Sequence, residues 1–181
     1  THKFVKLPLF LAIFLIALSG TKNEISAQDI IESEQASFKV EAINETLDHP
    51  WSLAFLKNGY LITERKGKLW FVDKDTQTKR EIKNVPPVYH RGQGGLLDVI
   101  IDNDFENSGL IFFSYAGKSS DKRGMANTEV ARARLNLSQA RLEDVEVIFT
   151  ATPKSKGGNH WGSRLLIAPD NTLFITLGDR W

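Results

Sequence analysis

From Trp51 onward the chain is written in short apolar runs separated by polar breaks that contain Gly, Asn, Asp or Pro. WSLAFL is followed by Lys57-Asn58-Gly59 and then YLITER. A break at Lys66-Gly67 leads to KLWFVD, and Asp75-Thr76-Gln77-Thr78 leads to KREIK. Short runs rich in Leu, Ile and aromatic residues, bounded by turn residues, predict strands. Asn-Gly between the first two predicts a tight hairpin whose turn residues take positive φ angles. The four strands between Trp51 and Ile82 thus read as a meander. A lone sheet of this kind leaves an apolar face uncovered, so it calls for neighbours.

The neighbours are written as a repeat. GGLLDVIIDNDFENSGLIFFSYA and WGSRLLIAPDNTLFITLGDR reproduce the opening of the first unit, an apolar strand, a polar turn and a second strand that closes on Thr or Ser. Thr63, Ser114 and Thr176 hold matching places, 51 and then 62 residues apart. NTEVARARLNL and EDVEVIFTA supply two further strands before the third opening, and the charges of EDVEVIF suit an edge strand that must discourage pairing. Units of about 40 to 50 residues, each one four-stranded sheet, predict an all-β chain with the architecture of a β-propeller. A β-sandwich would account for the strands but not for the period.

The first segment is of another kind. Lys3 and Lys6 precede an apolar run from Leu7 to Leu18, and Ile25-Ser26-Ala27 offers a small-residue cleavage site, so residues 1–27 read as a signal peptide and 28–181 as the mature propeller region. The run is short for a membrane span, which needs about 20 apolar residues. Cleavage after Ala27 removes three of the 23 basic and one of the 22 acidic residues, leaving the mature region near neutral. That balance gives no basic patch of the kind nucleic-acid binders show. There are no cysteines, so packing alone must stabilise the fold. The chain starts at Thr1 and stops at Trp181 beside a strand, so both ends read as cut, with about two and a half blades present.

In a propeller the first strand of each blade lines the central channel, so residues that precede those strands gather at one mouth. His49 precedes WSLAFL, Gln93 precedes GGLLDVII and His160 precedes GSRLLIA. A few polar groups converging on a concave opening form a candidate binding site. Each has a plainer reading as well: His49 beside Pro50 as a turn or cap residue, Gln93 among glycines as turn filler, His160 as a structural histidine. KSSDKRG, from Lys118 to Gly124, reads as a solvated loop.

The strings HPWSLAFLKNGYLITERKGKLWFV, GQGGLLDVIIDNDF and GGNHWGSRLLIAPDNTLFITLGDR, in this order, resemble the soluble quinoprotein sugar dehydrogenases, the glucose/sorbosone dehydrogenase family that uses pyrroloquinoline quinone (PQQ). The resemblance implies a six-bladed propeller that oxidises the anomeric hydroxyl of aldose sugars to lactones, with calcium supporting the quinone and, in some members, a homodimer. By the same resemblance His160 in NHWGSRL matches the family's general base, and Gln93 in GQGGLLD matches a glutamine at the substrate and quinone site. Asn159 stands where the soluble glucose enzymes carry an aspartate, which points to broader aldose specificity. The residues that grip PQQ and calcium have no counterpart in this stretch, so no metal ligand is assigned and the segment alone is expected to be inactive. Asp179 and Arg180 match a family motif and read as a structural salt bridge or strand end. No Gly-rich nucleotide fingerprint joins a strand to a helix. A periplasmic or secreted enzyme that hands electrons to membrane carriers is expected. The alternative is a secreted propeller that binds a sugar or a protein partner without catalysis.

Overall fold

The computed structural model describes residues 30–42, 46–120 and 123–180; the expected signal peptide, residues 1–27, lies outside them. The described residues divide into two units after Ala42. In the first, β1 (Ile31–Glu32) pairs antiparallel with β2 (Ser37–Phe38) across a turn in which Ser33 and Ala36 hydrogen-bond. None of the described residues of this unit is buried.

The second unit holds the repeat. β3 (Pro50–Leu56), β4 (Gly59–Glu64), β5 (Lys68–Asp73) and β6 (Lys79–Ile82) form a four-stranded antiparallel meander in chain order. The first hairpin corrects the expected turn chemistry. Leu56 pairs with Gly59 around Lys57-Asn58, and neither Asn58 nor Gly59 takes a positive φ. Gly59 is required for a different reason: a Cβ there would lie 2.1 Å from the Val72 carbonyl oxygen of β5. Gly67, by contrast, does sit at φ 102° in the next turn.

β7 (Leu96–Ile101), β8 (Leu110–Lys118), β9 (Ala126–Asn136) and β10 (Arg141–Thr150) make the second meander, with β10 at its outer edge. Between β7 and β8 the chain makes one helical turn, α1 (Phe105–Ser108), where the sequence pattern predicts only a turn; Gly109 ends it at φ 64°. β11 (Gly162–Ile167) and β12 (Leu173–Leu177) open a third sheet.

The main core lies between the first two sheets. Leu61, Leu69 and Ile82 of the first meet Val99, Ile111, Phe113 and Leu142 of the second, each at most 1% exposed. Burial of each such side chain contributes about 1.5 to 3 kcal/mol, so sheet-on-sheet packing outweighs any single polar contact. β7 packs against both β3 and β11, which makes the first strands of the three sheets neighbours. These are consecutive blades of a β-propeller, two complete and a third begun.

The matching hydroxyls explain how blades join. Each inner strand carries a bulge, at Pro50/Ser52, Leu96/Val99 and Gly162/Leu165. A bulge takes a backbone N–H out of the ladder. Thr63 Oγ1 accepts from the displaced Ser52 N–H at 3.0 Å, Ser114 Oγ from Asp98 N–H at 3.0 Å and Thr176 Oγ1 from Arg164 N–H at 2.9 Å. The first two hydroxyls then donate into the next blade, Thr63 to Leu97 O at 2.6 Å and Ser114 to Ser163 O at 2.7 Å.

Asp98, fully buried on β7, ties the three inner strands together. Its Oδ1 accepts from Ser52 Oγ at 2.5 Å on one side and from Arg164 Nη1 at 2.9 Å on the other, as well as from Val99 N–H at 3.0 Å. Its Oδ2 accepts from Leu165 N–H at 2.7 Å. Removing the carboxylate orphans buried donors on both neighbours, so Asp98→Ala in the full-length protein is expected to cost about 3 to 5 kcal/mol in urea unfolding. Thr63→Val, which removes one stitch, should cost about 1 to 3 kcal/mol. A loss below about 1 kcal/mol for Asp98→Ala would show that the blades register without it.

Candidate active site

Residues 151–161 run from β10 to β11 with almost no regular structure, so their polar backbone groups need partners from elsewhere. Ala126 and Ser155 exchange backbone hydrogen bonds at 3.0 and 3.2 Å. Asn127 Nδ2 donates to Pro153 O at 2.8 Å. Lys154 ion-pairs with Glu129, both side chains largely buried, and also donates to Gly117 O at 3.2 Å. Gly117 makes room for this pair, because a Cβ would lie 2.0 Å from the Glu129 carboxyl carbon. Burial, with a hydrogen bond to Glu129, pushes the Tyr115 phenol above its ordinary range.

Beyond Lys154 the loop is clamped more tightly. Arg180 Nη1 donates to Asn159 O at 2.5 Å and Nη2 to Gly157 O at 3.3 Å, while its guanidinium lies 3.3 Å from the centre of the Trp161 ring. Burial lowers the Arg180 pKa, but an arginine starts so high that the group stays charged at neutral pH. Gly158 O accepts from Trp161 Nε1 at 2.8 Å and from Gln93 N–H at 2.7 Å. Gln93 answers through its side chain: Oε1 accepts from His160 N–H at 2.9 Å. His160 sits at φ 52°, a left-handed conformation that costs of order 1 kcal/mol or more in a non-glycine residue and persists because these contacts over-determine it.

The His160 ring is fixed from the other side. Its Nδ1 lies 2.7 Å from Asp179 Oδ1, just past the end of β12. A carboxylate at one ring nitrogen selects the tautomer and directs proton exchange to the other. Gln93, His160, Trp161, Trp51 and Arg65 line a cavity of about 320 Å³ at this end of the inner strands. Arg65 donates through Nη2 to Gly92 O at 2.5 Å, while its Nε is buried with no hydrogen-bond partner.

The structure thus brings Gln93 and His160 together. Asn159 is adjacent, its carbonyl held by Arg180 and its Oδ1 beside Gly92, but it does not line the cavity. His49 does not line it either: its ring pairs with Asp48, which in turn holds Lys66. Sequence reasoning missed Arg65 and the contact of Asp179 with His160. In a hairpin the end of the second strand lies at the same edge as the start of the first, so TER65 and LGD179 face the same mouth as the residues that precede β7 and β11. Among the described residues no group of three or more His, Cys, Asp or Glu could hold a metal ion.

Residues 47–181 match the model of the Glucose / Sorbosone dehydrogenase family. The chain belongs to this family. Aldose sugar dehydrogenase YliI of Escherichia coli is 40% identical across 80% of the chain, and quinoprotein glucose dehydrogenase B of Acinetobacter calcoaceticus is 28% identical across 99% of it. The chain spans 39% of the length of each. Among solved structures, the apo form of the E. coli soluble aldose sugar dehydrogenase superposes with a TM-score of 0.71 at 40% identity, over 77% of this chain and 40% of that one. A PQQ-bound aldose sugar dehydrogenase from Streptomyces coelicolor gives 0.67 at 25% identity, over 78% and 41%. The glucose/sorbosone dehydrogenase fold therefore extends through both complete blades and the start of the third.

The Gln93–His160 contact makes a function-free prediction. In the full-length protein Gln93→Met should speed hydrogen exchange of the His160 amide about 10-fold, while Gln93→Glu, which keeps an acceptor oxygen, should stay near wild type. Equal exchange in all three would show that the loop is held without Gln93.

Proposed function

We propose that this protein oxidises aldose sugars at the anomeric carbon to lactones, with PQQ as redox cofactor and His160 as general base. The observation that carries the proposal is the His160–Asp179 pair, 2.7 Å apart at the edge of the cavity that Gln93 and Arg65 also line. Support comes from the family and from a similar enzyme whose structure holds PQQ.

The cavity fits a planar, carboxylated quinone in two respects. Arg65 Nε is buried without a partner and can donate to an oxyanion, and Trp51 and Trp161 supply flat apolar walls. PQQ, when bound, supplies the acceptor for the hydride that leaves the sugar carbon. His160 takes the proton of the anomeric hydroxyl at Nε2, because Nδ1 is engaged by Asp179. The carboxylate stabilises the imidazolium as it forms. Gln93 positions the base, its Oε1 accepting from the backbone N–H of His160, and its Nε2 amide is the group that would hydrogen-bond at the substrate and quinone site. Calcium, which the resemblance implies, finds no cluster of three or more Asp, Glu, His or Cys side chains among the described residues. A periplasmic or secreted location and a homodimer belong to the same proposal, the location resting on the pattern of residues 1–27.

In the full-length, PQQ-loaded protein His160→Gln should lower kcat by about 10²-fold or more with little change in KM, since the lost interaction belongs to the transition state. In the wild type kcat/KM should fall toward acid pH as the base protonates, and the variant should lose that limb. Near-full sugar oxidation by the variant with the same pH profile would make His160 a structural residue and end this reading.

A further inference from the structure

The two tryptophans that line the His160 cavity are each met by a guanidinium. Trp161 is held by its own indole N–H, donated to Gly158 O at 2.8 Å, and by Arg180 against its ring. Trp51 packs against the apolar cluster that contains Leu97 and Trp161, but it is only partly buried. Its further support comes from another blade. The guanidinium carbon of Arg164, on β11, lies 4.9 Å from the centre of the Trp51 ring on β3, although β7 is the strand that packs against both. A cation over an indole is attracted by the negative face of the ring.

A mostly exposed arginine ordinarily samples many rotamers, but this one is tied at its far end. Nη1 donates to the buried Asp98 Oδ1 at 2.9 Å, and the same oxygen accepts from Ser52 Oγ at 2.5 Å. Ser52 directly follows Trp51 in β3. The contacts therefore close a circuit: from the Trp51 ring to Arg164, on to Asp98, on to Ser52 and along the backbone to Trp51 again. Such a circuit fixes the cation relative to the backbone that carries the ring, so the indole meets a charge at a set place. Because an indole turns about only two torsions, a fixed cation biases its orientation at small entropic cost.

We propose that Arg164 is a positioning residue: it sets the orientation of Trp51 and thereby the wall of the His160 cavity against which the planar quinone lies. Fluorine NMR of the full-length protein labelled with fluorotryptophan, with the Trp51 resonance assigned by Trp51→Phe, reads the wall without cofactor. Arg164→Gln, whose amide can still donate to Asp98, should shift that resonance and broaden it as the ring gains freedom. Arg164→Lys keeps the charge for Asp98 but not the broad guanidinium. It should shift the resonance while leaving the urea midpoint near wild type, and it serves if Arg164→Gln does not fold. The second arm rests on the proposed function and measures PQQ affinity by equilibrium dialysis. Arg164→Gln should weaken PQQ about 10-fold and Trp51→Leu at least as much, with the double variant no worse than Trp51→Leu alone, because the arginine acts through the ring. If PQQ fails to bind the wild type, the cofactor reading ends and the fluorine arm alone decides the role of Arg164. A Trp51 resonance unmoved in both Arg164 variants overturns the proposal, as does unchanged PQQ affinity in Arg164→Gln or a double variant in which the two losses multiply.

Discussion

Everything at the mouth of this molecule depends on how the first strands of successive blades are held side by side. Those strands pair within their own sheets and share no ladder with each other. Asp98 supplies the missing connection, with one carboxylate oxygen reaching Ser52 and Arg164 and the other the backbone of Leu165. A buried carboxylate is costly unless fully satisfied, and here four donors satisfy it. Because those donors come from three sheets, the cost of burying the charge is offset only when all three are in register. The hydroxyls of Thr63 and Ser114 extend the same logic, each filling a bulge in its own blade and reaching a carbonyl in the next.

That registration carries the loops that form the site. The segment before β11 has little regular structure, yet its backbone is held by Arg180, Gln93, Asn127 and the Ala126–Ser155 exchange. Such a loop can keep His160 in a left-handed conformation. The strain is local, and the contacts that maintain it come from β9, from the segment before β7 and from the end of β12, so the geometry of the histidine depends on the packing of blades rather than on its neighbours in sequence.

Two cavities share this end, and their chemistry differs. The one at His160 is walled by tryptophans and contains a histidine with a carboxylate behind it. The one at Arg91 is lined, among the described residues, by Arg91, Lys118 and Arg123. Tyr89 and Trp161, whose rings are neighbours, stand between them.

The strands were legible in the sequence because their signal is local: an apolar run bounded by turn residues needs no knowledge of what it packs against. The repeat was legible for the same reason, and Thr63, Ser114 and Thr176, matched by period alone, prove to hold equivalent bulges. That Gln93 and His160 come to one mouth also followed from the period. What the period could not convey is which side chains meet there. Gly59 reads as a turn glycine, yet its backbone needs no positive φ; only the approach of β5 decides why a side chain is excluded. His49 and His160 both precede an inner strand and both take a left-handed φ, but one pairs with its neighbour Asp48 and the other with Asp179, nineteen residues on. Arg65 and Asp179 reach the site from the far ends of second strands, and Asp98 looks from its sequence like one polar residue in an apolar run. Each of these pairings joins residues distant along the chain across a hairpin or between blades. Local pattern determines the strands, and only their packing determines which charges and hydrogen-bonding groups end up within reach of one another.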